Sequence, residues 1–445
     1  MKKKMPRKPV KGFSSLPREE KLGQVARLFK DPQKFVEELN SFRHPKYREL
    51  LEGFSENTLA QYPLPYGVVP NVIVNGTMYM VPVVTEESSV VAAAAKSAGF
   101  WSGRGGFHAR VLGTTKVGQV HFTWKGDFRK LQDHFPELKE KLVRKTSPVT
   151  RNMVKRGGGI REIRLLDMTR SMENYYQLMA EFETADSMGA NFINTCMEEM
   201  ASALVEYIGG SGHFHGEEKK VNVIMAILSN YTPDCLVECR VETGIGDLGE
   251  QEGRMTAEYF ARKFEQAVMI SRKDTYRAAT HNKGIFNGID AVALATGNDF
   301  RAIEACGHAW AARSGNYSGL TDIDLGNNMF RYSLTLPLAL GTVGGLTSLH
   351  PLAKRSLEML GNPRAGELMM IAASVGLANN FGAIRSLVTR GIQAGHMKMH
   401  LSNMLNRLGA TPTEKEKARA YFSERKVSYR AVETFLLSLR KQHHS

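Results

Sequence analysis

The order of apolar and polar positions divides the chain into segments of different character. Over 17–53, Leu22, Val25, Leu28 and Phe29 recur at helical spacing, which predicts short helices with one apolar face. A loop is expected over 63–70. Apolar runs at 72–74 and 78–84 then flank Asn75-Gly76, which predicts a β-hairpin, because that dipeptide accepts the positive φ angles of a two-residue turn. The Val/Ala run at 90–98 predicts a buried helix able to pack closely, and 103–106 is a glycine-rich break. Strands are expected at 109–112, 119–124, 161–168 and 175–182, with a charged helix over 128–144 and another helix over 191–208. That mixture predicts a small α+β domain. The glycine- and charge-rich stretch 209–220 reads as its exit hinge. Strands resume at 221–228 and 236–241, followed by an amphipathic helix over 254–270. From 280 to 395 the chain is dense in Gly, Ala, Asn and Met, and charged helices near 414–425 and 431–441 read as a separate helical unit.

At 445 residues the chain is too long for one ordinary core, which points to two or three domains. Hydrophobic residues at 42% and charged residues at 23% exclude global disorder and collagen-like chains. No uninterrupted apolar run approaches the roughly 20 residues of a membrane helix; Glu86 and Glu87 break the one around 81–95. Cys196, Cys235, Cys239 and Cys306 form no CxxC pair and match no zinc spacing, so reduced packing cysteines and no metal are expected. The net charge of +14 suits anionic partners. Lys2, Lys3, Lys4, Arg7, Lys8 and Lys11 crowd a leader with no apolar core, so it is not a secretory signal. No RNP motif, zinc finger or arginine-rich repeat supports nucleic-acid binding.

Several polar residues sit in small-residue settings. Gly244-x-Gly246-x-x-Gly249 has the letters of a dinucleotide fingerprint, but the chain around it does not alternate strand and helix, and Asp247 and Glu250 would repel a pyrophosphate. A connector is expected there. Thr85 to Ser89 joins a strand to an apolar helix; Glu86 and Glu87 read either as capping groups or as a general acid whose burial would raise its pKa. Asp186-Ser187-Met188-Gly189-Ala190-Asn191 opens a helix, where free N–H groups bind anions, unless Asp186 is an ordinary N-cap. Lys283 stands among small residues ahead of Gly297-Asn298-Asp299; an aspartate partner would hold it charged toward a developing oxyanion. His396 follows Gly395 at the start of the C-terminal unit, where a closing lid could deliver it.

These residues, with VPVVTEESSVVAAA, DSMGANFINT, ILSN, YRAATHNKGIFNGIDAVALATGNDFRAIEA, PLALGTVGGLTSLHPLA and GIQAGHM, resemble class II (bacterial-type) hydroxymethylglutaryl-coenzyme A reductase from about Gly12 to the C-terminus. The resemblance implies an α+β fold: a large mixed domain with a central buried helix over 13–112 and 219–390, an inserted small non-Rossmann cofactor-binding domain over 113–218, and a C-terminal helical flap over 391–445, after a basic leader at 1–12. It implies Glu87, Lys283, Asp299 and His396 as catalytic residues, with Ser89, Asn230, Arg277 and Asn287 on the hydroxymethylglutaryl group. It places Thr150, Asp186, Met188, Gly189, Ala190 and Asn191 on the cofactor. The implied reaction converts 3-hydroxy-3-methylglutaryl-CoA to mevalonate and CoA, or runs in reverse for degradation. NADPH or NADH is the reductant and no metal takes part.

The resemblance further implies a cytoplasmic homodimer, or a dimer-based oligomer, with sites at the interface. Thr150 stands where NAD-preferring relatives carry a carboxylate, and with Arg151, Lys155 and Arg156 nearby NADPH is favoured. Ser88 replaces a proline common among relatives, and the family's CoA-binding basic residue near the N-terminus has no clear match beside Ser14 and Ser15. The other readings are a same-fold oxidoreductase on another acyl-CoA and a catalytically silent, basic nucleic-acid-binding protein.

Overall fold

The computed structural model describes residues 10–251, 254–389, 401–422, 425 and 427–442. Residues 1–9 of the expected leader lie outside these, and so does His396. The chain divides into two compact units, the first ending at Tyr66 and the second beginning at Gly67.

The first unit holds α1 (Arg18–Ala26), α2 (Pro32–Ser41) and α3 (Arg48–Glu52). Asp31 caps α2 by accepting the Lys34 N–H at 3.0 Å, with Pro32 preset for the first turn. The apolar face over 17–53 is shorter than expected. Leu22 and Ala26 are buried, but α1 stops at Ala26, and Leu28 and Phe29 beyond it are exposed.

In the second unit β1 (Tyr66–Val74) and β2 (Thr77–Val84) form the expected hairpin, and Asn75 and Gly76 have φ 49° and 84°. The strand begins inside the segment expected as a loop. The turn residues differ from the flanking Val-rich strands in needing positive φ. From here the chain enters α4 (Ser88–Ser102), buries Val90, Ala94, Ser97, Ala98 and Trp101, and leads to β3 (His108–Val111).

One four-stranded sheet runs β3-β8-β10-β9, with β8 (Leu236–Gly244), β9 (Thr321–Asp324) and β10 (Met329–Pro337) paired antiparallel throughout. Behind it pack α8 (Ala257–Lys273), α9 (Thr275–Ala295), α10 (Phe300–Ala311) and α13 (Ala365–Val388), the last after α11 (Gly345–Leu349) and α12 (Pro351–Met359). Trp101, Phe264, Phe330, Tyr332 and Phe381 form one aromatic cluster, with Trp101–Phe381 centroids 5.1 Å apart and Phe264–Tyr332 5.0 Å apart. Full burial of each such side chain contributes about 1.5–3 kcal/mol.

The helix α13 is long and apolar enough to cross a membrane by length and composition, but 78% of its apolar window is buried in this core. It is the most fully buried helix, beside α4 rather than in place of it. Small residues allow the close approach: a Cβ on Gly288 of α9 would meet Val375 O at 2.6 Å. Two asparagines cross-link the helices. Asn379 donates to Val90 O at 2.8 Å, and Asn380 to His281 O at 2.7 Å.

A second four-stranded sheet runs β5-β6-β4-β7: β4 (Lys116–Trp124), β5 (Gly159–Asp167), β6 (Tyr175–Glu183) and β7 (Val221–Ser229), again all antiparallel. Between β4 and β5 lie α5 (Phe128–Asp133) and α6 (Phe135–Lys155), broken at His134 where one charged helix was expected. The helix α7 (Ala190–Gly210) follows β6. This sheet and these helices bury their own core, including Phe122, Trp124, Leu142, Phe182, Met197 and Leu204. The connection from β8 confirms the doubt over the Gly244 pattern. A short 3₁₀ turn, Gly246–Leu248, follows the strand, and α8 starts only at Ala257. Helices Pro412–Tyr421 and Tyr429–Gln442 form a third core around Leu405, Ala418, Phe422, Val432 and Leu436.

Candidate active site

Arg277, Lys283 and Asn287 lie on α9, which packs against β2 and α4, the elements flanking Glu87, the second of them carrying Ser89, and against α10, which Asp299 caps, and α13. Glu87 stands at the N-cap of α4, with extended φ and ψ of −110° and 113°, yet its carboxylate takes no helix N–H. Instead it accepts the Ser89 hydroxyl on its Oε1. The backbone N–H of Glu87 in turn donates to Thr85 Oγ1 at 3.3 Å. Capping is therefore not what this acid does.

Asp274 caps α9 through the Tyr276 and Arg277 N–H groups. Arg277 is partly buried and burial lowers its pKa, while its guanidinium has no hydrogen-bond or ion-pair partner among the described residues. Lys283 is exposed and likewise without an ion pair among the described residues. Asn287 lies one turn on, so Lys283 and Asn287 share a helix face. Beneath them His281 is buried, its Nε2 2.6 Å from Thr321 Oγ1; burial pushes its pKa down to about 3, so the ring is neutral.

Asp299 caps α10, accepting the Arg301 and Ala302 N–H groups at 3.1 and 3.3 Å. Its carboxylate also pairs with the Arg301 guanidinium at 3.0 Å. Burial would raise its pKa, but Arg301 and these N–H groups outweigh that and hold it below the usual range. In this conformation Asp299 is thus paired with Arg301, and no direct hydrogen bond or ion pair joins Glu87, Lys283 and Asp299. Asn230 is exposed at the end of β7, where Tyr231 N–H bonds Ser229 Oγ at 3.1 Å.

The run 186–191, expected to bind the cofactor, is braced by hydrogen bonds to α13 and to residues 342–343. Asp186 is not the cap of α7. Its Oδ1 accepts the Ala365 N–H at the start of α13, at 2.9 Å, and its carbonyl accepts Thr342 N–H at 2.8 Å and Val343 N–H at 3.3 Å. Gly189 is the N-cap, at φ 85°, where a Cβ would meet Thr184 Cγ2 at 2.4 Å. Only glycine fits that turn. No side chain caps α7, which leaves its first N–H groups, beside Met188, Ala190 and Asn191, available to an anionic phosphate. Thr150 is buried in α6 and bonds Ser147 O of its own helix at 3.3 Å, while Arg151, Lys155 and Arg156 are exposed.

One metal-type cluster escaped sequence spacing, because its members are distant in the chain. His134, Glu137 and His213 bring ligand atoms within 4.8 Å of one another. Glu137 Oε2 is already taken by Tyr207 OH at 2.9 Å and His213 Nε2 at 3.1 Å, and the two imidazoles stack 3.8 Å apart. Lone pairs in parallel ring planes do not converge on one ion, so the group reads as a hydrogen-bonded clasp between α6 and the end of α7. Sequence reasoning also missed the roles of Asn298 and Lys116 beside the 186–191 run: in the sequence Asn298 reads only as the neighbour of Asp299, and Lys116 lies in no distinctive motif.

A family profile described as Hydroxymethylglutaryl-coenzyme A reductase matches residues 18–401. The chain is 34% identical over 412 residues to 3-hydroxy-3-methylglutaryl-coenzyme A reductase of Archaeoglobus fulgidus, covering 91% of this chain and 88% of that protein. It is 31% identical to a probable reductase of the same name from Borreliella burgdorferi, covering 84% of each. The structure of the class II reductase of Streptococcus pneumoniae bound to NADPH superposes with a TM-score of 0.71 at 36% identity, covering 85% of this chain and 99% of that one. By sequence and fold, the chain belongs to the hydroxymethylglutaryl-coenzyme A reductase family, in its class II form.

Proposed function

We propose that the chain reduces 3-hydroxy-3-methylglutaryl-CoA to mevalonate and free CoA with NAD(P)H. The observation that carries this reading is on α9. Arg277 and Lys283 are cations with no hydrogen-bonded or ion-paired carboxylate among the described residues, Asp274 acting on Arg277 only through its field. A partly buried guanidinium that no carboxylate grips suits a bidentate hold on the substrate's free carboxylate. Ser89, Asn230 and Asn287 orient the hydroxymethylglutaryl group.

A reduced nicotinamide, when bound, would supply one hydride, so two NAD(P)H are consumed in succession for the two transfers. Lys283 stabilises the oxyanion formed when the thioester carbonyl accepts the first hydride. Collapse breaks the C–S bond, and His396 protonates the departing CoA thiolate. Glu87 gives the proton to the aldehyde oxygen as the second hydride arrives, with Ser89 orienting its carboxyl. Asp299 supports Lys283, which requires it to exchange its Arg301 partner when substrate is bound. Met188, Gly189, Ala190 and Asn191 hold the cofactor at α7, and Asp186 anchors that run. Arg151, Lys155 and Arg156 are the cations for a 2′-phosphate; Thr150 contributes by not being a carboxylate.

In this reading residues 13–112 and 219–390 bind substrate and CoA, 113–218 bind the cofactor, and 391–445 close over the site. Two copies complete the site at their interface, and the enzyme is cytoplasmic. The separate cores of the two sheets support the division. The test is NAD(P)H oxidation on addition of 3-hydroxy-3-methylglutaryl-CoA, with NADH and NADPH in parallel and other acyl-CoAs as controls. Two equivalents oxidised per substrate, with NADPH used at least as well as NADH, is the expected result. Faster turnover of another acyl-CoA overturns the substrate assignment; a preference for NADH of about tenfold overturns the cofactor assignment.

A further inference from the structure

We propose that Lys116 is the residue that positions and charges the cofactor run for an anionic, diphosphate-bearing ligand, an inference that rests on the reading of 186–191 as the cofactor segment. Lys116 opens β4 and is only 4% exposed. Burying an ammonium ion is costly unless a counter-ion or full hydrogen bonding offsets it. Its Nζ donates to Thr184 Oγ1 at 2.5 Å and to Ser187 O at 3.3 Å, both neutral acceptors, and no carboxylate among the described residues is within ion-pair distance.

The neighbouring acids are already used. Glu183, next to Thr184, pairs with Arg161 and accepts the Ala185 N–H at 3.0 Å. Asp186 turns its carboxylate to Ala365 N–H. The acceptors are themselves locked. Thr184 Oγ1 donates to Ser187 O at 2.6 Å, and Ser187 Oγ donates back to Thr184 O at 2.9 Å, while Ala185 takes the left-handed φ of 49°. The ammonium is thus plugged into a tight turn whose next residues open α7 with uncapped N–H groups. Two sources of positive potential, a full charge and a helix N-terminus, meet at one short segment; neither is ion-paired among the described residues, and Asp186, the acid within that segment, spends its Oδ1 on the Ala365 N–H. A cofactor diphosphate supplies the missing negative charge. Lys116 does not touch it; it acts through Thr184 and Ser187 and through its field.

The test compares wild type, Lys116→Met and Lys116→Arg in three measurements: melting temperature, NADPH affinity by fluorescence, and inhibition by inorganic pyrophosphate competing with NADPH. The Met variant is expected to lose about tenfold or more in affinity for both NADPH and pyrophosphate, with kcat at saturating NADPH within about threefold of wild type. The Arg variant, which keeps the charge, should restore pyrophosphate inhibition to within about threefold. Its result stands if the Met variant does not fold. A purely structural lysine would lower the melting temperature without weakening pyrophosphate selectively. If wild type binds NADPH and the Met variant binds NADPH and pyrophosphate equally well, the inference is wrong and the cofactor reading survives. If NADPH binds wild type but Asn191→Trp, which would crowd the start of α7, leaves that binding untouched, the cofactor reading fails and this inference falls with it.

Discussion

Asn298 and Gly341 exchange two hydrogen bonds: Asn298 Nδ2 donates to Gly341 O at 3.0 Å, and Gly341 N–H donates to Asn298 Oδ1 at 2.8 Å. The pair connects the residue before Asp299 to the segment whose Thr342 and Val343 N–H groups bond Asp186 O. The proposed catalytic aspartate and the cofactor run are therefore braced by one buried amide. Truncation in Asn298→Ala leaves a donor and an acceptor unpaired, at about 1–3 kcal/mol each. We expect a melting temperature lower by several degrees and a raised KM for NAD(P)H. A variant that melts and binds cofactor like wild type would show that the brace is dispensable.

Lys283→Ala should abolish measurable turnover and leave stability unchanged. The side chain is exposed and unpaired among the described residues, so its removal creates no cavity and strands no partner. Loss of one oxyanion donor costs on the order of 10²–10³ in rate. Steady-state kinetics and thermal melting together check this. More than about a tenth of normal turnover removes Lys283 from the mechanism.

The proposed role of His396 separates the two half-reactions. If it protonates departing CoA, His396→Gln should impair thioester reduction far more than reduction of added mevaldehyde, which has no thiolate to release. Equal losses in both assays would make the histidine a binding or structural residue instead.

Asp290 provides a pH test. It lies on the same α9 face as Lys283 and Asn287, and burial followed by its hydrogen-bonded neighbour Glu304 on α10 pushes its pKa up to about 8. Its Oδ1 is buried with no partner among the described residues. A folded-state pKa above the unfolded value of about 3.9 means the native protein binds the extra proton, so this group costs stability progressively as pH rises from about 4 to 8. Asp290→Asn should flatten the fall of melting temperature over that window and stabilise the protein most near its upper end. An unchanged pH slope would place the shared proton elsewhere.

What could be read from the chain was local. Asn75-Gly76 determined a turn because few dipeptides accept two positive φ angles. The Val/Ala helix after Glu87 followed from composition, and the family from residue strings that keep their order over most of the length. The strands and helices between 109 and 208 followed from period and composition, but His134 split the charged helix and its second part ran on to Lys155, past the expected end at 144; earlier in the chain, a stretch expected as loop proved to be strand at 66–70. Partner choice was not legible. Asp186 looks like a helix cap until α13, far along the chain, presents the Ala365 N–H; Glu87 looks like one until Ser89 claims it; Asp299 points toward Lys283 in motif logic but pairs with Arg301 in space. The burial of Lys116 and Thr150 and the amide clasp of Asn298 likewise exist only once two sheets and α13 have closed on them. Hydrogen bonds and ion pairs act over a few ångströms, and the sequence alone does not say which distant groups packing will bring that close. Periodicity and turn chemistry are encoded by neighbours, whereas electrostatic partners are decided by the tertiary fold.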